Sequence, residues 1–338
     1  MLRYIIRRVL GVPFLLLGVA SVAFILSQST KGDPLSALVP ERMMNNPEIV
    51  QAVEAQWGLD KPLPVRYVVY MKNLVQGDMG TSFNTRRPVA RDIAERLPAT
   101  LELVVAAMIV GTTLGMAIGL LSARFRHSIF DNAARGFALL GSSLPIFWSG
   151  LIMLYIFSVQ LKWTPGTGRL DARSQAPEGI TGFYTVDALL AGNGGVFIEA
   201  LSHLALPALV LGWSVIGIVA RLVRSSLLDA LGQDYVRTAR AKGASERVVL
   251  INHALRNALI PVLTVLGFTF AYLITGAVLT EAIFSWPGIG SYAVSAARSL
   301  DYPAIGGVTI VGATAFLLAN LVTDIAYAWA NPRIKVSG

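Results

Sequence analysis

The chain has 338 residues, of which 54% are hydrophobic and only 14% charged, against about 25% charged in soluble domains. Its mean hydropathy of +0.60 places it in the membrane class. The absence of cysteine excludes disulfides, thiolate metal sites, iron–sulfur clusters and a cysteine nucleophile.

The net charge of +8 is read as retention of loops on the cytoplasmic side. A nucleic-acid partner is not expected, because no basic, aromatic-studded soluble module is visible. The first apolar run, "VLGVPFLLLGVASVAFIL" (residues 9–26), follows Arg3, Arg7 and Arg8. It is longer than the 7–15 residues typical of a signal-peptide core, so it is taken as a retained span. Residues 1–27 therefore form a tail and the first transmembrane helix.

Residues 28–98 form a long loop, expected outside the cytoplasm as a small periplasmic cap. Two short helices are predicted within it, one opening at Pro47 after an Asn46 cap. A turn is expected over residues 58–64. Arg86, Arg87, Arg91 and Arg96 conflict with an outside location, although the positive-inside rule weakens for loops beyond about 60 residues.

Five further spans are predicted at residues 99–123, 136–161, 200–220, 259–284 and 304–329, each near the ~20 residues a crossing requires. Pro145, Pro207 and Gly276 lie inside them, and glycine-rich faces permit close helix approach. Arg124, Arg126 and Arg135 lie between spans two and three. Arg221, Arg224, Arg237, Arg240, Lys242, Arg247 and Arg256 lie between spans four and five. These loops and both termini are therefore expected in the cytoplasm. The outside stretch 162–199 is expected to be loop. The fold class that emerges is an all-α polytopic membrane protein with six transmembrane helices, residues 99–329 forming the transmembrane domain and 330–338 a tail.

Candidate chemistry is sparse. No glycine is followed by lysine, so no P-loop phosphate cradle exists. Glu199 and His203 can share a helix face, but one pair makes no metal site, and the histidine is expected to sit at an interface. No metal site is expected. Ser142 and Ser143 lie inside a span; with His203 they offer only a weak case for an intramembrane protease. Asp324, inside the last span, is expected to bond a neighbouring helix or backbone. No catalytic residue emerges.

The most informative polar stretch is "DYVRTARAKGASERVVLINHALRNALIP" (residues 234–261). Helix is predicted over residues 227–242, with Gly243 at the position after the cap, where positive φ is needed. Ser245 is expected as the next N-cap with Glu246 in the first turn, and a second helix runs on to Pro261. Ala239, Ala241, Gly243 and Ala244 are small enough to lie deep in a groove, and Arg237, Arg240 and Lys242 can meet an acidic rim. A solvated basic loop that only fixes topology explains the same residues equally well.

This stretch resembles the cytoplasmic coupling loop of the membrane subunits of binding-protein-dependent ABC importers. The general pattern is Glu-Ala-Ala, three residues, glycine, nine residues, then Ile-x-Leu-Pro. Ala239 and Gly243 match it, whereas Arg237 and Thr238 replace the glutamate and first alanine. The form "D-Y-V-R-T-A-R-A-K-G" with "H-A-L-R-N-A" is similar to the peptide-importer branch. "GDP" (32–34), "GLDKPLPVRY" (58–67), "GDMGTSF" (77–83), "LPATLELV" (97–104), "TEAIFSWPGIG" (280–290), "DYPAI" (301–305) and "NPRIKV" (331–336) extend the resemblance over nearly the whole chain.

The resemblance implies the first permease of a dipeptide, oligopeptide or nickel importer, with the type I ABC importer permease fold in a bacterial or archaeal cytoplasmic (inner) membrane. It implies a second homologous permease, two ATPases that carry ATP and Mg²⁺, a periplasmic or lipid-anchored solute-binding protein, and surrounding membrane lipids. The coupling loop, within 221–258, then includes Asp234, Arg237, Thr238, Ala239, Arg240, Ala241, Lys242, Gly243, Ala244 and Ser245. Ser142, Ser143, Pro145 and Phe147 are candidates for the translocation path. The alternative is a proton-coupled secondary peptide carrier.

Overall fold

The computed structural model describes residues 2–29, 45–57 and 61–330. The secondary structure among the described residues is helical, apart from one isolated bridge between Thr81 and Pro88. The helices are α1 (Leu2–Ser29), α2 (Pro47–Trp57), α3 (Leu63–Val75), α4 (Val89–Arg124), α5 (Ile129–Ser143), α6 (Ile146–Gln160), α7 (Tyr184–Leu190) and α8 (Gly194–Leu231). They continue with α9 (Asp234–Ala241), α10 (residues 246–283), α11 (Ile289–Arg298) and α12 (Tyr302–Ala330). Both α6 and α10 contain a π-helical stretch, Leu154–Gln160 and Val249–Leu255 respectively.

By length and composition, α4, α8, Pro261–Ile283 within α10, and Tyr302–Leu321 within α12 can each cross a membrane. A fifth candidate is bent. Helices α5 and α6 meet at 113°, so the predicted span over 136–161 bends at Leu144 and Pro145. Proline at 145 has no amide hydrogen, and its ring disfavours helical backbone at Leu144; Leu144 is accordingly extended, with φ −80° and ψ 137°. Within α1, the residues whose side chains are described include the apolar stretch Leu10–Ile25. Asp324 lies on α12 with its side chain outside the described residues.

The chain divides into two compact units. The larger holds Pro98–Gly290 with the segment from Leu318 onward, and α8 is its centre. Two thirds (67%) of the apolar window of α8 is buried, against 33% for α4. The close approach has a sequence cause. Gly111, Gly115 and Gly119 recur every fourth residue on α4, forming one stripe. A Cβ at Gly111 would lie 2.6 Å from Val215 Cβ, and one at Gly119 would lie 2.7 Å from the Ala220 carbonyl oxygen. The partner helix answers in kind, since a Cβ at Gly212 would lie 2.7 Å from the Ala107 carbonyl oxygen. Small residues thus let backbones meet where lipid provides no hydrophobic driving force between helices. Leu103, Ala107, Leu211, Val215, Val219 and Leu273 fill the core around this contact.

The smaller unit holds Leu2–Leu97 and Ser291–Leu317. Both short helices expected in its first long loop are present. Asn46 caps α2 by accepting from the Glu48 amide at 3.1 Å. Helix α3 rests on α1 through Tyr67, whose hydroxyl lies 2.7 Å from Ser21 Oγ and whose ring meets Phe24 edge-on. Of the cations that conflicted with the charge rule, Arg87 pairs with Asp92 and Glu95, Arg91 pairs with Glu95, and Arg96 lies over the Tyr292 ring. They hold this segment's own fold together.

The glycine stripe makes a direct prediction. Gly212→Ala drives a methyl into the Ala107 carbonyl and costs about 1–3 kcal/mol, the range for overpacking. Gly136→Ala, on α5 where a Cβ meets nothing within 4 Å, is neutral or stabilises by up to about 1 kcal/mol through helix propensity. Thermal melting of the two purified variants in detergent measures the difference.

Candidate functional site

The polar stretch after α8 forms a helix–turn–helix hook. Its first helix is not continuous from residue 227 as expected. Helix α8 stops at Leu231, Gly232 and Gln233 form a corner, and α9 starts at Asp234. Glycine's backbone entropy disfavours helix at this point.

The turn at Gly243 is built as its sequence predicts. Gly243 has φ +81°. Its amide donates to the Arg240 carbonyl at 2.9 Å, and the Ala244 amide donates to the Ala239 carbonyl at 3.2 Å. These are the paired bonds of a Schellman motif, which satisfies the last helix carbonyls. Ala244 packs on Val236, Ala239 and Val249, providing the apolar contact that accompanies the motif. Ser245 occupies the N-cap position with extended backbone (ψ 152°), yet its side chain makes no capping bond. Glu246 instead receives the Arg240 guanidinium, with Nε 2.7 Å and Nη2 3.2 Å from its two oxygens. That fork-to-carboxylate pair ties the two arms and holds the Glu246 carboxyl below its usual pKa.

The candidate docking residues therefore differ in role. Ala239 is turned inward and buried at 9% exposure. Ala244 is half-buried in the same small core. Asp234, Arg237, Thr238, Arg240, Ala241, Lys242, Gly243 and Ser245 are exposed. Arg237 pairs only at 3.5 Å with Asp234, in the next turn of its own helix. Arg240 is already engaged by Glu246. Arg237 and Lys242 are thus the cations on this surface with most freedom to meet another molecule.

Helix α10 returns the hook to the core. Val249, Leu250 and Ala254 are buried in its π-helical stretch. Leu250, Ala254 and Ala258 pack with Leu227 and Ala230 at the end of α8. The hook is therefore clamped at its base by apolar packing and closed at its tip by the turn.

A buried polar knot lies beside that end of α8. Asp131, fully buried, accepts from Arg224 Nε at 2.7 Å and Nη2 at 2.8 Å, from the His127 amide at 3.1 Å and from Ser122 Oγ. It fixes the α4–α5 turn, where His127 takes φ +65°, onto α8. Sequence reasoning counted Arg224 as a topology cation and passed over Asp131. The available signal was an aspartate three residues after the capping Ser128 and next to an apolar helix face.

A second knot lies at the opposite end of α8. Glu102 accepts from Arg169 Nη2 at 2.5 Å and from the Thr185 amide and hydroxyl at 2.9 and 2.7 Å. Arg169 also donates to the Gly182 carbonyl at 2.8 Å and lies 3.5 Å from the Tyr184 ring centroid. The segment expected as loop is pinned there and contains helix α7. Nearby, the "TEAIFSWPGIG" segment wraps the fully buried Glu281. Thr100 Oγ1 donates to Glu281 at 2.5 Å and accepts from the Ile289 amide at 2.8 Å, while Trp286 Nε1 donates to the Ala99 carbonyl at 2.8 Å.

Ser142, Ser143, Pro145 and Phe147 all lie at the 113° break between α5 and α6 and are exposed on the larger unit. Ser142 Oγ donates to carbonyls of its own helix, Ala138 and Leu139, each at 3.1 Å. His203 faces Gly168 and Asp171, so the described geometry assembles no serine–histidine pair at this break.

Several apolar helices of crossing length, with buried ion pairs beside them, define a polytopic membrane protein. Residues 115–336 match the family model described as "Binding-protein-dependent transport system inner membrane component", and residues 1–104 match its N-terminal counterpart. The chain belongs to this family. It is 46% identical to the di/tripeptide transport system permease protein DppB of Pseudomonas aeruginosa over 336 residues, covering 99% of each chain. It is 44% identical to the probable D,D-dipeptide transport system permease protein DdpB of Escherichia coli, covering 98% of this chain and 97% of the relative. To the dipeptide transport system permease protein DppB of E. coli it is 42% identical, covering 99% of each. It is thus a dipeptide-permease-B-like permease of a binding-protein-dependent ABC importer.

Removing one partner of the Asp131 knot tests its weight. Arg224→Leu strands a fully buried carboxylate and is expected to cost about 3–5 kcal/mol. Size-exclusion chromatography of the detergent-solubilised variant should show loss of the monodisperse peak, with Arg224→Lys intermediate because the fork is lost but the charge remains.

Proposed function

We propose that the chain is one of two permease subunits of an ATP-driven importer that moves short peptides into the cytoplasm. In this reading it crosses the membrane six times, with α1 as the first crossing and the α5–α6 pair as a broken third. Both termini and the hook lie in the cytoplasm, and residues 28–98 form a cap on the other side. The family and the names of its full-length relatives support peptides as the cargo. A second homologous permease completes the pore, a solute-binding protein delivers the cargo, and two ATPases bind ATP and Mg²⁺. This chain carries no phosphate-binding loop of its own.

The observation that carries the reading is the hook. It combines a closed turn, an apolar base locked to α8 and α10, and an exposed rim bearing Arg237 and Lys242. Such an element transmits a push without deforming. ATP-driven closure of the ATPases biases the pore only through contacts that differ between its two states, and the hook is where those contacts are made. The permease itself does no covalent chemistry. The broken span with Ser142, Ser143, Pro145 and Phe147 lines the path shared with the second permease, where weak contacts let cargo leave.

The test is transport by the full complex in proteoliposomes. Gly243→Val places a β-branched residue at φ +81°, where an L-residue pays roughly 1–2 kcal/mol of steric strain. Peptide uptake and binding-protein-stimulated ATP hydrolysis should both fall at least tenfold while the chain still inserts. Unchanged uptake and hydrolysis would remove the coupling assignment. Uptake by the chain alone, driven by a proton gradient without ATP, would favour a secondary carrier.

A further inference from the structure

Glu199 and His203 stand one turn apart near the start of α8, and the structure brings Asp171 from the preceding segment onto them. One ligand atom from each lies within 4.8 Å of the other two. His203 is almost fully buried, at 2% exposure, whereas the Asp171 side chain is 72% exposed. The imidazole is oriented by its other nitrogen, with Nδ1 3.2 Å from the Gly168 carbonyl oxygen. A carbonyl only accepts, so Nδ1 carries the hydrogen, and the neutral ring then presents a lone pair at Nε2.

That lone pair faces a carboxylate. Nε2 lies 3.5 Å from Asp171 Oδ1 and has no hydrogen-bond partner although it is buried. Were the ring protonated and paired with Asp171, a charge-assisted bond would close to about 2.7–2.9 Å. Two electron-rich atoms held 3.5 Å apart instead match two ligands of one cation. With metal–ligand bonds of about 2.0–2.2 Å, tetrahedral geometry separates ligand atoms by roughly 3.3–3.5 Å. Glu199 is braced for the same task. One oxygen accepts from the Asp171 amide and the other from Ser174 Oγ, both at 2.8 Å, and each keeps a lone pair. Hydrogen-bonded carboxylates and a histidine donating to a backbone carbonyl are the outer-shell supports metal ligands normally have.

We propose that Asp171, Glu199 and His203 form a site for a divalent first-row metal ion of the zinc class, with water completing the shell. One imidazole and two carboxylates suit such an ion, whereas Ca²⁺ prefers an all-oxygen shell of six to eight ligands. The ion fastens the segment around residues 168–174 to the first turns of α8. It is structural, since nothing at the site positions a reacting group.

The test uses the full chain, freed of any polyhistidine tag, stripped with chelator and re-equilibrated with Zn²⁺ or Ca²⁺ alone. After gel filtration, mass spectrometry of the metal content should find about one Zn²⁺ per chain and no retained Ca²⁺, and Zn²⁺ should raise the melting temperature. Asp171→Asn changes an exposed side chain, so the metal-free variant should melt as the parent does. It should bind Zn²⁺ at least tenfold more weakly, as should Glu199→Gln. Zn²⁺ retention equal in the parent and the Asp171→Asn variant overturns the site. So does failure of the parent to retain Zn²⁺, or equal retention of both ions.

Discussion

The larger unit depends on how closely two backbones can approach. Helix α8 lies against α4 at places where the Cβ of a single alanine would intrude on a carbonyl oxygen. In a lipid environment the hydrophobic effect does not draw one apolar helix to another, so the attraction is dispersion between surfaces that fit. It disappears if a side chain holds the backbones apart. The four-residue spacing of Gly111, Gly115 and Gly119, facing Gly212, Val215 and Val219, is therefore a structural constraint. Everything that α8 positions at its two ends inherits its placement from that seam.

Glycine contacts and apolar packing hold the middle of α8, and charge holds one of its ends through Arg224. A buried carboxylate is tolerable only where its lone pairs are met. Asp131 at one end and Glu102 at the other each collect a guanidinium and at least one backbone amide. Breaking either knot leaves an unpaired charge, so the Asp131–Arg224 pair ties α8 to the α4–α5 turn and the Glu102–Arg169 pair ties α4 to the segment around α7. The hook then needs only local closure. The Schellman turn at Gly243 satisfies its carbonyls, Arg240 and Glu246 tie its arms, and Val236, Ala239 and Val249 fill its interior.

Much of this was legible in the sequence because its cause is local. Hydropathy located the apolar helices, and Gly243 after "ARAK" located a turn that demands positive φ. Asn46–Pro47 located the start of α2 for the same kind of reason. The bend within the span over 136–161 was not read because apolar composition says nothing of direction, although Leu144–Pro145 carried it. The helix over 227–242 was drawn through Gly232 because the surrounding propensity outweighs one glycine in a window. The pairings could not be read at all. Asp131 meets Arg224, Glu102 meets Arg169, and Glu199 and His203 meet Asp171 only because segments distant in sequence come together. Spacing within one helix displayed the Glu199–His203 pair but concealed its third member. Ala239 looked like a small surface residue for the same reason, since its inward turn is set by Val249 across the hook.

Length closes the physical account. Helix α8 has 38 residues, so at 1.5 Å per residue it runs about 57 Å. A hydrocarbon core is about 30 Å thick. Even strongly tilted, α8 outreaches the apolar slab, and its ends stand in or beyond the headgroup region. Its polar partners sit at those ends: Arg224 and the corner at Gly232 at one, Asn193, Glu199 and His203 at the other. Between those ends the glycine contacts with α4 hold the middle of the helix, which also carries Pro207. A helix only as long as the apolar slab would have no room for these polar contacts at both ends, so the excess length of α8 is what its two polar ends require.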